Sequence, residues 1–134
     1  MKILKVFTLL TALLLAGKTL CAQNDSYLAY FSNTEQTVYR DSKERLVMSY
    51  QIEGPSTQAE IEALKRLFLL YNMFEKFEIN PTSEPDVWDI KELTRPAVKI
   101  KDHRKLFAVA GIYTIFIDNE PYPVDGFRMK MLKK

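Results

Sequence analysis

Apolar side chains recur at every second position from Leu46 to Ile52, and most of the residues between them are polar. A period of two is typical of a half-buried β-strand. The pair Gly54-Pro55 ends this pattern. Thr57 and Glu60 then have the spacing of a capping box, in which the two side chains satisfy backbone donors of a first helical turn. The sequence therefore predicts a strand followed by a helix that is capped at Thr57.

The apolar residues after Thr57 are three or four positions apart, so that one face of the helix must lie on a sheet. They are Ile61, Leu64, Leu67, Phe68, Tyr71 and Phe74. The period returns to two at Phe77 and Ile79, and a polar turn separates this run from the segment Val87 to Leu93. These two segments are predicted to pair as a hairpin.

A second helix is expected in the segment that carries Leu106 and Phe107, with Asp102 as its cap and Gly111 at its end. The segment Ile112 to Ile117 combines β-branched and aromatic residues with almost no charge, which predicts a central strand. After a turn, Tyr122 to Phe127 is expected to add an edge strand.

The order strand, helix, strand, strand, helix, strand predicts an α+β fold, the ferredoxin-like sandwich (β-α-β-β-α-β). In this fold two helices cover one face of an antiparallel sheet. The predicted domain covers residues 46–127. A polar N-terminal arm at residues 23–45 precedes it, and a basic tail at residues 128–134 follows.

This layout resembles the heavy-metal-associated family of small β-α-β-β-α-β domains, in topology and spacing, from Leu46 to about Phe127. In that family the loop after the first strand carries two cysteines, with two other residues between them, that bind a soft metal ion as thiolates. The corresponding loop here, Glu53 to Glu60, contains no cysteine. The resemblance therefore implies the family's shape without its metal site.

Residues 1–22 have the pattern of a secretory signal peptide, with two early lysines and an apolar run from Val6 to Ala16. Ala22 and Gln23 suit cleavage between them, which predicts export to the periplasm or beyond. The apolar run is shorter than the ~20 residues of a membrane span. Lipidation of Cys21 is the alternative, although Lys18 and Leu20 do not fit a lipobox.

Cleavage would change the charge and the chemistry of the chain. The full sequence has 19 basic and 17 acidic residues, and removal of Lys2, Lys5 and Lys18 leaves 16 basic residues against 17 acidic ones. A balance near −1 gives no electrostatic reason to expect nucleic acid as a partner. The single cysteine, Cys21, would be lost as well, so we expect no disulfide and no thiolate chemistry.

Few residues are candidates for catalysis or metal binding, and we expect no cofactor. His103 is the only histidine and lies among Asp102, Arg104 and Lys105, which favours a solvated surface position over a general base. Met129 and Met131 could hold copper(I) with their thioethers, but methionine more often packs on apolar surface. The carboxylates of the presumed third strand are expected on a solvated face; they are Asp86, Asp89 and Glu92, and Glu84 lies just before them.

Aromatic residues are the candidates for an interaction surface. They are Tyr27, Tyr30 and Phe31 in the arm, Trp88 in the third strand and Tyr122 near the C-terminus. For Trp88, as for Tyr113, packing in the core is the competing interpretation and the favoured one.

The sequence favours an exported, non-enzymatic domain that binds a protein or peptide, or a second copy of itself, through its sheet. One alternative is a peptidase-inhibitor or pro-domain-like module that presents the tail from Arg128 to Lys134. Another is a periplasmic copper protein that uses Met129, Met131 and His103. An enzyme ranks last, because one histidine and no mature cysteine leave few nucleophiles and bases.

Overall fold

The computed structural model describes residues 26–132, so the predicted export segment with Cys21, and the last two lysines of the tail, lie outside it. The strands of the described part are β1 (Tyr27–Phe31), β2 (Val38–Arg40), β3 (Leu46–Glu53), β4 (Phe74–Pro81), β5 (Val87–Thr94), β6 (Ile112–Ile117) and β7 (Glu120–Pro123). The α-helices are α1 (Thr34–Thr37), α2 (Gln58–Leu70), α3 (Ile100–Val109) and α4 (Met129–Leu132), and a 3-10 turn at Val124–Gly126 precedes α4.

The strands form one mixed sheet in the order β4-β5-β3-β1-β6-β7, and β2 also pairs with β3. The pair β1 and β6 is parallel, whereas the other neighbours are antiparallel. β1 and β2 follow one another along the same side of β3. β1 pairs with the residues from Gln51 to Glu53 and β2 with those from Leu46 to Met48, and α1 lies between them in the chain.

The predicted ferredoxin-like sandwich is wrong. β1 comes from the segment that was expected to be a polar arm, and it lies inside the sheet between β3 and β6. Its five residues, Tyr27 to Phe31, are all apolar or aromatic and show no period of two, so the sequence gives no sign of which side is buried. The structure does not show the fold of the heavy-metal-associated family either.

Most of the predicted elements are confirmed. The strand at 46, the helix at 58, the hairpin of β4 and β5, and the strand at 112 all form, and Thr57 and Glu60 make the capping box. The C-terminal part differs from the prediction, because β7 ends at Pro123 and a 3-10 turn and α4 follow.

The sheet has two different faces. The alternation of β3 places Leu46, Met48, Tyr50 and Ile52 on the face that packs with residues of α2 and α3, such as Phe68 and Phe107, and all of these residues are buried. We call this side the helix-covered face. The other residues of β3, such as Ser49 and Gln51, are half-buried or exposed, and we call their side the open face. None of the helices in residues 26–132 has the length and hydropathy that a membrane crossing requires.

Candidate functional site

The two outer strands of the sheet differ in what they can offer to another chain. β7 contains Pro121 and Pro123, which have no N–H to donate. β4 pairs with β5 along its whole length, and within residues 26–132 no strand pairs with its outer side. The stretch from Lys76 to Asn80 contains no proline. Of the two strands at the ends of the order β4-β5-β3-β1-β6-β7, β4 is therefore the one whose edge can accept an additional strand.

The exposed side chains of β4 carry charges of both signs. Lys76 and Glu78 are two residues apart and thus share one face of the strand, and both are exposed. Glu78 lies opposite Lys91 of β5, which belongs to the open face. A bulge between Phe74 and Lys76 marks the beginning of the regular part of the edge.

The open face next to this edge is polar. Tyr30, Ser49, Gln51 and Asp89 line a shallow groove on it. The side-chain amide of Gln51 donates to Asp89 at 2.9 Å, across the pair of strands β3 and β5. This face offers hydrogen-bonding groups to a partner rather than a large apolar patch.

The structure does not bring the five candidate aromatic residues together. Tyr30 lies on the open face, where its ring stacks on Phe116 with 4.8 Å between the ring centroids. Phe31 is only 1% exposed and stacks on Tyr50 in the core, so it is not available to a partner. Tyr122 is half-buried and packs against the core from β7.

Tyr27 and Trp88 hold the loop between β3 and α2 in place. The indole N–H of Trp88 donates to the carbonyl of Pro55 at 2.8 Å. The ring of Tyr27 packs against Gly54, where a Cβ would lie 2.5 Å from a ring carbon. Gly54 also has a φ of 137°, so this position requires glycine for both reasons.

Tyr113 is 53% exposed, so the core position favoured for it is wrong.

A cluster of three titratable side chains lies on the helix-covered face. Tyr50 of β3 donates its hydroxyl proton to one carboxylate oxygen of Glu92, and the other oxygen is 2.7 Å from Nε2 of His103. The second ring nitrogen of His103, Nδ1, is 3.3 Å from the carbonyl oxygen of Lys99 at the start of α3. The side chains of Glu92 and His103 are fully buried. Every polar atom of this cluster therefore has a partner, as is the case for all buried side-chain N and O atoms of the described residues.

Burial and charge oppose each other at His103. Burial lowers the pKa of His103, but the negative charge of Glu92, the hydrogen bond to it and the Lys99 carbonyl outweigh that effect, and the net pKa is raised. Burial, together with the charge and the hydrogen bond of Glu92, also raises the pKa of Tyr50 well above its usual range. The arrangement therefore favours the protonated imidazole of His103 and the neutral phenol of Tyr50.

Two predictions about this cluster are wrong. His103 was expected to be solvated, yet it is 0% exposed, because α3 begins at Ile100 and places His103 on the same face as Phe107. Glu92 was expected on a solvated strand face, yet it is 3% exposed. The sequence does contain the signal for both positions. His103 is three and four residues before Leu106 and Phe107, and Glu92 is two residues after Ile90.

The residues of the copper hypothesis lie in different environments. Met129 and Met131 belong to the helix α4, are half-buried and pack against the core, whereas His103 is fully buried beside Glu92. Within residues 26–132, no group of three or more His, Cys, Asp or Glu side chains could hold a metal ion. The described part of the tail that was considered for peptidase inhibition, residues 128–132, is also anchored on the domain, since Leu132 and the preceding Phe127 are fully buried.

Comparison with known proteins gives no match to a family model, to a curated protein or to a solved structure. The geometry of the described residues is therefore what a functional proposal has to rest on.

Proposed function

We propose that this chain is an exported, non-enzymatic domain that binds an extended segment of a partner protein or peptide by strand addition at β4. Export is inferred from the sequence pattern of residues 1–22. In strand addition, main-chain hydrogen bonds supply affinity, and the side chains of the edge supply specificity.

The observation that carries this proposal is the outer side of β4, with which no strand of residues 26–132 pairs. It is an eight-residue strand that is held in a regular ladder by β5, so its outward N–H and C=O groups are already in the extended conformation that a partner strand needs. Because β4 is already ordered, this chain would lose little conformational entropy when it binds a partner strand.

Two further observations support a binding role over the alternatives. The single histidine of the chain is fully buried and hydrogen-bonded to Glu92, which makes it unavailable to a substrate at the surface. The buried Phe127 and Leu132 of the C-terminal segment, and the engagement of both His103 ring nitrogens by Glu92 and Lys99, give no specific support to peptidase inhibition or copper binding.

The test uses the full chain, expressed with its own N-terminal segment and purified after processing, and a library of displayed random peptides. We expect selected peptides to bind and to slow hydrogen exchange at alternate amides of β4, which is the signature of a new strand at that edge. Peptides that protect only other regions, or failure to select any binder, would contradict the proposal.

A pair of proline variants supplies a matched control. Glu78 and Ile79 are neighbours in a strand, so the N–H of one points to β5 and the N–H of the other points outward. Proline at the position whose N–H points outward removes no hydrogen bond to β5. Of Glu78→Pro and Ile79→Pro, that variant should therefore keep the melting temperature of the wild type and change only the outer edge. We expect this variant to lose peptide binding, and retained binding would contradict strand addition.

A further inference from the structure

The charges of β4 are complementary to those of a second β4 that runs in the opposite direction. We propose that the strand added to this edge is β4 of a second copy, in an antiparallel register centred on Phe77, which forms a symmetric homodimer with a continuous sheet. This inference rests on the proposed function, because it names the partner for the same edge.

The register follows from the symmetry of such a pair. A two-fold axis at Phe77 places Lys76 of each copy directly opposite Glu78 of the other, so two ion pairs form across the new strand boundary. Both side chains are exposed on the same face of the strand, where they can meet without displacing buried groups.

The neighbouring registers lack this complementarity. A shift that centres the axis on Glu78 places two glutamates opposite each other, which is destabilising. A shift to Ile79 places Glu78 opposite Asn80, with no ion pair. The charge pattern therefore selects one register among those that keep each side chain on its own face.

Apolar side chains near the edge are compatible with a second copy. Phe77 is half-buried, with its ring 5.1 Å from that of Phe68, and the proposed register places it opposite its symmetry mate. The end of α2 lies shortly before β4 in the chain, and its residues Leu69 and Leu70 and the next residue, Tyr71, have 46%, 74% and 46% of their surface exposed. Such neighbouring exposed apolar residues often mark a protein interface.

Charged residues, bulges and prolines also occur on edges that natural proteins protect from pairing. In β4 the bulge and Pro81 lie at the two ends, and Lys76 to Asn80 remains open between them. A protective row of like charges would repel a second copy, whereas Lys76 and Glu78 have opposite signs and attract it. The far edge, with Pro121 and Pro123, has the features of a protected one.

The experiment is sedimentation equilibrium of the processed full chain and of two charge reversals, Lys76→Glu and Glu78→Lys. We expect a concentration-dependent dimer for the wild type, and self-association that is roughly tenfold or more weaker for each variant, because each one places like charges at both cross-strand pairs. A mixture of the two variants restores both pairs. A fluorescently labelled Lys76→Glu chain should therefore bind unlabelled Glu78→Lys with at least wild-type affinity, as measured by anisotropy.

The control is Glu120→Lys, which changes the charge of the opposite edge by the same amount and should leave the dimer unchanged. Melting temperatures confirm that all variants are folded. A wild type that stays monomeric up to its solubility limit, or variants that fail to complement each other, overturns the homodimer. If selected peptides still slow hydrogen exchange at the amides of β4 in that case, the proposal of strand addition is kept. Only the proposal that the added strand comes from a second copy is then wrong.

Discussion

Two tyrosine–glutamate hydrogen bonds lie on opposite faces of the same sheet. On the open face, Tyr30 donates to Glu53 at 2.7 Å, in a half-exposed position. On the helix-covered face, Tyr50 donates to Glu92 in the core, where Glu92 has a second partner in His103. The chemical pair is the same, but water reaches only the first one.

The difference shows what burial changes. Partial burial, the hydrogen bond to Glu53 and the charge of Glu53 raise the pKa of Tyr30 to about 12. Glu53 can still be solvated on its exposed side, so it needs no further partner. A carboxylate in the core without a counter-charge would cost several kcal/mol, and His103 supplies that counter-charge. The comparison therefore predicts that polar groups of the buried cluster determine stability, while those of the open face contribute little.

The largest effect is expected from Glu92→Ala. This change leaves the imidazole of His103 and the hydroxyl of Tyr50 buried without their partner, and should lower the free energy of unfolding by about 3–5 kcal/mol. Urea denaturation measures it. The matched control is Lys91→Ala, one residue earlier and on the open face, which should stay within about 0.5 kcal/mol of the wild type. Equal losses for Glu92→Ala and Lys91→Ala would mean that the buried contacts of Glu92 contribute no more to stability than an exposed side chain does.

A smaller effect is expected when only a hydroxyl is removed. Tyr50→Phe should cost about 1.5–3 kcal/mol, because it removes a hydrogen bond to a charged group in the core. Tyr30→Phe removes the equivalent bond on the open face and should cost less than about 1 kcal/mol, since water can replace the hydroxyl at Glu53. Denaturation of the two single variants measures the comparison directly, and a larger loss for Tyr30→Phe would reverse our view of the two faces.

The smallest effect is a pH dependence of stability. The pKa of His103 is raised above its unfolded value of about 6.5, so the folded state binds the proton more tightly. The stabilisation from the imidazolium is therefore complete below about pH 6.5 and is lost as the pH rises through the raised pKa. We expect the free energy of unfolding of the wild type, measured by urea denaturation, to fall over that range. The slope should be at most about 1.4 kcal/mol per pH unit.

Glu92→Gln tests the cause of this slope. Without the negative charge, the burial of His103 becomes the main influence and lowers its pKa below the unfolded value, so stability should now increase as the pH rises towards about 6.5 and level off above it. The carbonyl of Lys99 and the charge of Asp102 raise the pKa of His103, but each raises it less than Glu92 does. A variant with the slope of the wild type would show that Glu92 is not what holds the proton on His103.

The local elements were largely predictable, because each depends on neighbours in the sequence. The alternation from Leu46 and the capping box at Thr57 specify a strand and a helix before any tertiary contact forms. The period of two also places Glu92 on the face of Ile90, and the helical period places His103 on the face of Phe107. Charged residues are mostly exposed in proteins, and these two positions are exceptions to that tendency.

Periodicity and helix caps in the sequence specify where most strands and helices begin, and which apolar residues of β3 and α2 face the core. The assembled sheet is needed to place Tyr27–Phe31 between β3 and β6, to bring Glu92, His103 and Tyr50 together, and to leave the outer side of β4 without a pairing strand in residues 26–132. The physical reason is the range of the interactions. Periodicity and capping act within a few residues, whereas strand order and a buried ion pair depend on groups that are distant in the chain and become neighbours only when the sheet assembles.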